Sequence, residues 1–210
     1  MLKVYDEKMV PLYNEDKRVV HSFALWHKVV TGIVFNKKLR TLYFQTIYPK
    51  ASYTFKRPDF IDFAVGGHVE GDETVKEAIL REAKEELALS GFNPIFLGIR
   101  ACVADPDSIY HIREFQYFYG IETEYELKNM SFLHSDEEVK SVIEVKIDDF
   151  LDILLKHKNE IMANEMILDK ATRLGQYAQG ITLTADRIIP DYYNDKSIFE
   201  KILSVKALME

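Results

Sequence analysis

The sequence predicts an α/β fold in which helices cover both faces of a mixed β-sheet. Short stretches rich in β-branched and aromatic residues recur along the chain, as strands require. They alternate with helical patterns at residues 74–89 and 148–166. Such alternation is typical of layered proteins that combine a sheet with helices. Residues 198–209 form one more helical stretch beyond this core, which indicates a helical C-terminal extension.

The predicted strands follow one another through the central part of the chain. Residues 29–35 and 41–45 are expected to form a hairpin that turns at Asn36. Residues 60–65 are expected to form a short strand that leads into Gly66 and Gly67. The remaining strands are predicted at residues 95–103, 114–121 and 142–147.

Alternation along the strand that begins at Glu114 indicates which of its side chains face a cleft. Glu114, Gln116 and Phe118 fall on one side of this strand, and the intervening aromatic residues fall on the other. A charged residue at the end of a central strand favours a cleft on the first side.

The length and composition are those of one globular domain with an extension. With 210 residues, of which 47% are hydrophobic and 29% charged, the chain can bury a full core. We expect an N-terminal arm at residues 1–26, a main domain at residues 27–166, and a helical extension at residues 167–210 that packs on that domain.

The charge balance and the apolar runs argue against several classes of protein. A net charge of −7 without a basic stripe argues against a nucleic-acid polymer as partner. No apolar run reaches membrane-spanning length and no signal peptide is visible, so we expect a cytoplasmic protein without membrane contact. The single Cys102 excludes an intramolecular disulfide and is expected to be a small core residue.

The helix predicted after residue 74 carries an acidic cluster. Thr74 and Glu77 form a capping-box pattern, apolar residues follow at helical spacing, and Gly91 is expected to end the helix. Glu82, Glu85 and Glu86 then share one helix face, where like charges repel one another. This face is either a solvated acidic surface or a site for a hard cation such as Mg²⁺, which takes oxygen ligands and bridges to phosphates.

The acidic cluster belongs to a longer pattern. The chain follows G-x5-E-x7-R-E-U-x-E-E-x-G-U, where U is a bulky apolar residue, except that Ala83 is small and Ala88 replaces the second Gly. This pattern resembles the signature of the Nudix (MutT-like) hydrolase family, and the resemblance implies a Nudix α/β/α sandwich. The matching residues are Gly67, Glu73, Arg81, Glu82, Glu85, Glu86 and Leu89.

The resemblance implies metal-assisted hydrolysis of a diphosphate. Its metal ligands for Mg²⁺, or alternatively Mn²⁺, would be the three helix glutamates with the main-chain carbonyl of Gly66, and Glu85 or Glu82 would be the base. Arg81 could hold Glu73 by a bidentate contact and so fix the loop before the helix. Glu138 matches a loop position that supplies a further metal-binding or base carboxylate in many family members, although acidic loops are also commonly just solvated. The substrate would be a small nucleoside diphosphate derivative.

A second resemblance indicates which branch of the family this chain is most similar to. The stretch around His27, together with Gly66-Gly67-His68, is similar to the isopentenyl-diphosphate-isomerase-like branch, in which the matching histidines and a glutamate near Glu114 help to hold a metal. We therefore place His27, His68 and Glu114 at the substrate, although a histidine beside a strand is often only a packing residue. The isomerase thiol would stand where this chain has Gly66, so hydrolysis is expected rather than isomerisation.

Three functions stay open: a hydrolase, an isoprenoid-diphosphate isomerase, and a Nudix domain that senses a ligand without catalysis. The intact set of carboxylates favours the first. Substrate selectivity would depend on loops at residues 47–59 and 103–113, which carry no readable pattern. The extension at residues 167–210 could form a homodimer or cover the cleft.

Overall fold

The structure is a computed structural model that describes residues 1–48, 59–105, 110–130, 139–169, 171–172 and 174–210. The strands are β1 (Leu2–Tyr5), β2 (Pro11–Glu15), β3 (His27–Asn36), β4 (Thr41–Ile47), β5 (Asp62–Phe63), β6 (Val65–His68), β7 (Ile95–Ala104), β8 (Ile112–Glu122), β9 (Val139–Lys146), β10 (Glu160–Leu168) and β11 (Gly175–Thr184). The α-helices are α1 (Lys17–Ser22), α2 (Val75–Leu87), α3 (Ile147–Leu154), α4 (Pro190–Asn194) and α5 (Lys196–Leu208). Within these described ranges, every helix is too short or too polar to cross a membrane.

The main sheet is mixed and has the strand order β11-β10-β9-β4-β3-β8-β7. Strands β3 and β8 are parallel, whereas the other strand pairs of this sheet are antiparallel. Strand β3 changes partner on one side: Val34–Asn36 pair with β4, and Val29–Gly32 pair with the glycine-containing strand β6. The sheet therefore splits between β4 and β6, and this split opens the cleft described below.

Helices cover both faces of the sheet and bury a separate core on each. On one face, Ile79 and Ala83 of α2 pack with Val30 of β3 in a buried cluster. On the other face, Phe150 of α3 and Ile202 of α5 belong to a second buried cluster that includes residues of β3 and β4. The α/β/α sandwich with a mixed sheet is thus confirmed.

Most predicted strands are confirmed, and one is divided. The hairpin of β3 and β4 forms, with Val34 opposite Tyr43. The single strand predicted at residues 60–65 is wrong, because the chain there passes from one partner to another. Strand β5 pairs with β4 and strand β6 pairs with β3, with Ala64 between them. Gly66 and Gly67 consequently lie inside a strand rather than after one.

The helix predicted at residues 148–166 is wrong in its second half. Helix α3 ends at Leu154, Lys156 adopts a left-handed conformation with φ 60°, and β10 follows. The residues of β10 include strong helix formers, but pairing with β9 and β11 places Ile161, Ala163 and Leu168 in the interior. Tertiary pairing overrides local propensity here.

The presence of strand β10 also changes the boundary and the content of the predicted C-terminal extension. The expected boundary at residue 166 falls inside β10, and residues 167–210 contain the edge strand β11 as well as α4 and α5. The predicted tail helix at residues 198–209 corresponds to α5 and packs on the domain core. The N-terminal arm forms the β1–β2 hairpin and α1, with Leu2, Val4 and Val20 in a small core of their own.

Candidate active site

Helix α2 begins and ends at residues that fix its position. Thr74 accepts a hydrogen bond from the Glu77 amide at 3.2 Å, and the Glu77 side chain accepts one from the Thr74 amide at 2.7 Å, so the predicted capping box is present. The predicted stop at Gly91 is wrong, since the helix ends at Leu87 and Ala88 is left-handed with φ 55°. An L-residue adopts this conformation at a cost of about 1–2 kcal/mol. Ala88 thus takes the geometry that the signature assigns to glycine.

Glu86 is the most buried of the three helix carboxylates, with only 8% of its surface exposed. One oxygen accepts a hydrogen bond from the Gly66 amide at 2.8 Å, and the other accepts one from the Gln45 side chain at 3.1 Å. These contacts place the carboxylate against strand β6, where the sheet splits.

Glu82 lies against the same strand. A Cβ atom at Gly67 would stand 1.9 Å from Oε1 of Glu82, so a side chain larger than hydrogen would displace the carboxylate. Burial raises the pKa of Glu82 to about 7, against the opposing effect of the Arg81 charge. Gly67, the leading glycine of the signature, therefore allows strand β6 and helix α2 to approach each other closely.

Arg81 connects the loop before α2 to the acidic face. Its guanidinium donates to both oxygens of Glu73, at 3.2 and 2.8 Å, so the bidentate contact expected from the sequence is present. It also donates to the carbonyl oxygen of His68 at 3.0 Å, to Glu82 at 2.8 Å and to Glu85 at 3.1 Å. One cation thus neutralises part of a crowded set of carboxylates.

The acidic face suits a Mg²⁺ ion that is shared with the substrate, rather than one that is enclosed by protein ligands alone. Among the residues that the structure describes, only His21, His27 and His68 offer three ligand atoms within 4.8 Å of one another, and the glutamates are more spread out. Mg²⁺ is usually bound through one or two carboxylates, with waters and substrate phosphates completing its octahedron. The residues present meet that requirement. Glu138 lies outside the described residues.

The histidine cluster, which consists of His21, His27 and His68, stands beside the acidic face. Nε2 of His21 and Nε2 of His68 are 3.1 Å apart. His27 is 1% exposed, and within the described parts of the chain its Nε2 has no hydrogen-bond partner. Oε1 of Glu114 lies 3.8 Å from that nitrogen. The structure therefore brings together His27, His68 and Glu114, and their role at the substrate stays a prediction.

Burial keeps the histidine cluster neutral. It lowers the pKa of His27 to about 4, and it also lowers the pKa values of His21 and His68 below the ordinary value. Neutral imidazole is the form that binds a metal. From the sequence, His21 is a weaker candidate than His27 and His68, because its place depends on how α1 packs. Its position six residues before His27 was the available signal.

A cleft of about 580 Å³ joins the acidic face and the histidine cluster. Glu114, Gln116 and Phe118 line it, so the alternation predicted for β8 is correct. Cys102 is buried, as expected, and lines the same cleft. Of the two predicted specificity loops, residues 49–58 and 106–109 lie outside the described residues, whereas Ala104, Tyr110 and Ile112 of the second loop line the cleft. The C-terminal extension contributes Ile189, Pro190, Tyr192 and Ile198 to the lining.

The family model of the NUDIX domain matches residues 25–166 of this chain, which is more than half of its length. The chain belongs to the Nudix family. It is a Nudix hydrolase, and the resemblance seen in the sequence is confirmed.

Several solved structures resemble this Nudix hydrolase, whereas no curated protein matches it. DR0079 from Deinococcus radiodurans is 19% identical with a TM-score of 0.49, and the match covers 75% of this chain and 90% of that one. The dihydroneopterin triphosphate pyrophosphohydrolase of E. coli is 16% identical with a TM-score of 0.45, covering 58% and 82%. The C. elegans Ap4A hydrolase is 13% identical with a TM-score of 0.40, covering 60% and 83%.

Proposed function

We propose that this Nudix hydrolase cleaves the diphosphate bond of a nucleoside diphosphate linked to another group, with Mg²⁺ or Mn²⁺ as cofactor. Water adds to one phosphorus, the bridging oxygen leaves with the other, and two phosphorylated products result. The observation that carries this proposal is the placement of Glu86 and Glu82 of α2 against Gly66 and Gly67 of β6, with Glu85 beside them on the same helix. Family membership supports hydrolysis of a nucleoside diphosphate derivative.

Glu82, Glu85 and Glu86, with the main-chain carbonyl of Gly66, would hold the metal. When bound, Mg²⁺ supplies charge to neutralise phosphate oxygens and acidifies a bound water. Glu86 is oriented for this task by the Gly66 amide, because a hydrogen-bonded carboxylate keeps its free lone pairs directed.

We assign the proton from water to a carboxylate oxygen of Glu85. The side chain of Glu85 is 45% exposed, compared with 14% for Glu82, so it is the more accessible of the two candidate bases. A general base must reach the proton that it abstracts, directly or through one water. Arg81 and Glu73 act as positioning residues, since their mutual contact holds the loop that precedes the helix.

A second candidate function rests on the histidine cluster. Three neutral imidazoles, with a buried His27 nitrogen that has no hydrogen-bond partner among the described residues, fit a transition metal better than Mg²⁺. The resemblance to the isopentenyl-diphosphate isomerases implies such a metal, which favours isomerase chemistry. Gly66 stands where those enzymes have their thiol, so an allylic proton transfer lacks its expected acid or base.

A substrate screen separates these functions. Purified protein with Mg²⁺ is given nucleoside di- and triphosphates, dinucleoside polyphosphates, ADP-ribose, sugar nucleotides and isopentenyl diphosphate. We expect two phosphorylated products from at least one linked nucleoside diphosphate, and none when EDTA replaces Mg²⁺. An isomerised product from isopentenyl diphosphate would establish the second function instead. No turnover of any compound would favour a ligand-sensing domain.

A further inference from the structure

The C-terminal extension forms one wall of the cleft and is hydrogen-bonded to the segment just before Gly66 and Gly67. The backbone amide of Ile61 donates to the carbonyl of Arg187 at 2.9 Å. The hydroxyl of Tyr192 donates to the Asp62 carboxylate and accepts a hydrogen bond from the Phe63 amide at 3.2 Å. Both Asp62 and Tyr192 line the cleft, so this joint between extension and domain is part of its surface.

A second joint lies at the start of α5. Asp195 caps this helix by accepting from the Ser197 amide at 2.8 Å, and its other oxygen accepts from Nε of Arg100. Arg100 in turn donates to Gln116 at 2.8 Å, and Gln116 donates to Glu114 at 2.9 Å. The extension thus fixes an arginine that lines the cleft and that belongs to a chain of contacts ending beside the histidine cluster.

Three strand pairings separate Arg100 from His68, whose main-chain carbonyl contacts Arg81 beside the acidic face. His68 pairs with Val29, Val29 pairs with Gln116, and Gln116 pairs with Arg100. Three strand spacings of about 4.8 Å therefore place the backbone of Arg100 roughly 14 Å from that of His68. Arg100 thus lines the part of the cleft that lies across β3 and β8 from His68.

We propose that Arg100, held by Asp195, and Asp62, held by Tyr192, bind the nucleoside of the substrate, so that the C-terminal extension is a specificity element of the active site. The inference rests on the proposed function, because it assigns the group beyond the diphosphate. A nucleoside offers hydroxyls and ring nitrogens that can exchange hydrogen bonds with a guanidinium and a carboxylate. An isoprenyl chain would remove water from both charged groups without giving a hydrogen bond in return.

Asp195→Asn separates specificity from simple support of the fold. Asparagine caps a helix as well as aspartate does, so α5 keeps its start while the ion pair between Arg100 and Asp195 is lost. The matched control is Asp148→Asn, because Asp148 of α3 contacts the C-terminal end of α5. Asp148 pairs with Lys206 of α5 at 2.6 Å and with Arg40 at 3.3 Å, and it does not line the cleft. Thermal unfolding is measured for each variant, and Arg100→Lys serves as a second probe of the same joint.

The test is calorimetric binding of AMP and UMP, which contain no diphosphate bond, with inorganic phosphate and isopentenyl monophosphate as probes that lack the nucleoside. In the presence of Mg²⁺ we expect Asp195→Asn and Arg100→Lys to weaken binding of AMP or UMP by about tenfold, with phosphate changed less than about twofold. In steady-state assays with a linked nucleoside diphosphate, KM should rise much more than kcat falls. Asp148→Asn should match the wild type throughout.

Four results would overturn the inference. In the variants these are an equal loss of phosphate and nucleotide binding, or unchanged binding in both Asp195→Asn and Arg100→Lys. In the wild type they are a preference for isopentenyl monophosphate, or no binding of either nucleotide. The proposed function fails separately. If the wild type binds AMP or UMP as expected but hydrolyses no diphosphate, the nucleoside site stands and the hydrolase assignment does not.

Discussion

The acidic face and the histidine cluster share one cleft but have opposite physical character. The acidic face carries charge, with Glu85 more exposed than Glu82 and Glu86, and Arg81 balances part of that charge with direct ion pairs to Glu82 and Glu85. The histidine cluster is buried and neutral, with a nitrogen of His27 left unpartnered among the described residues. Hard oxygen ligands suit Mg²⁺ and phosphate, whereas imidazoles suit transition metals. Two neighbouring sites can therefore hold different cations without competing for them.

Arg81→Ala should give a large loss on the acidic side. It would leave Glu73, Glu82 and Glu85 without their shared cation and release the loop before α2. Because a misplacement of about 1 Å can cost about 10²-fold in rate, we expect kcat/KM for the best substrate to fall by about that factor. Arg81→Lys keeps the charge without the forked guanidinium, so its kcat/KM should lie between those of the wild type and of Arg81→Ala. Wild-type kcat/KM in the alanine variant would show that the clamp does not position the site.

Metal selectivity tests the histidine side. We expect the purified protein to bind one equivalent of Zn²⁺ in a competition titration, and His27→Ala to weaken that binding by at least about tenfold, since it removes the unpartnered buried nitrogen. Glu86→Gln serves as the matched variant and should bind Zn²⁺ as the wild type does. Equal weakening of Zn²⁺ binding in both variants would show that the acidic face and the histidine cluster form one metal site.

Acid should destabilise the metal-free protein through His27. Burial lowers its pKa from 6.5 to about 4 in the folded state, so the unfolded chain takes up a proton that the folded protein excludes. Stability should therefore fall as the pH drops below about 6.5, by roughly 2–3 kcal/mol at pH 4 from this residue. Denaturant unfolding of the wild type and of His27→Gln across this range should give the steeper decline for the wild type. Parallel curves would mean that His27 binds its proton equally well in the folded and the unfolded state.

The smallest effect concerns the end of α2, away from both sites. Ala88→Gly should raise stability by about 1 kcal/mol, because glycine adopts the left-handed conformation at φ 55° without the Cβ clash. For a protein of this size that corresponds to a rise in Tm of about 2–4 °C. Gly91→Ala is the mirror control, since Gly91 has φ 75°, and it should lower Tm instead. A lower Tm for Ala88→Gly would contradict the strain assigned to this residue.

The two sides also differ in how far the sequence could predict them. The acidic face lies within one strand, one loop and one helix, so helical spacing was enough to predict the contact between Glu73 and Arg81 eight residues apart. The histidine cluster needs α1, β3 and β6 to meet, and His21 could not be placed without that packing. The nucleoside end depends on contacts such as Arg100 with Asp195, which are 95 residues apart.

The errors in the fold have a related cause. Residues 160–168 carry helix formers such as Met, Ala, Glu and Leu, yet they form a strand because β9 offers an unpaired edge. Sequence periodicity describes one segment at a time, whereas sheet pairing depends on a partner far along the chain. The strand β11 was missed for the same reason, since its residues are mostly exposed and show no clear alternation of burial.

The central claim is that the α2 carboxylates carry a metal-dependent hydrolysis, and Glu86→Gln tests it most directly. Glutamine keeps an oxygen that can accept from the Gly66 amide, so the fold should survive, as thermal unfolding would verify. Glu200→Gln, an exposed helix glutamate outside the cleft, is the control. With Mg²⁺ and the best substrate of the screen, we expect Glu86→Gln to lose more than about 100-fold in kcat, and Glu200→Gln to match the wild type. Wild-type turnover in a folded Glu86→Gln variant would contradict the assignment.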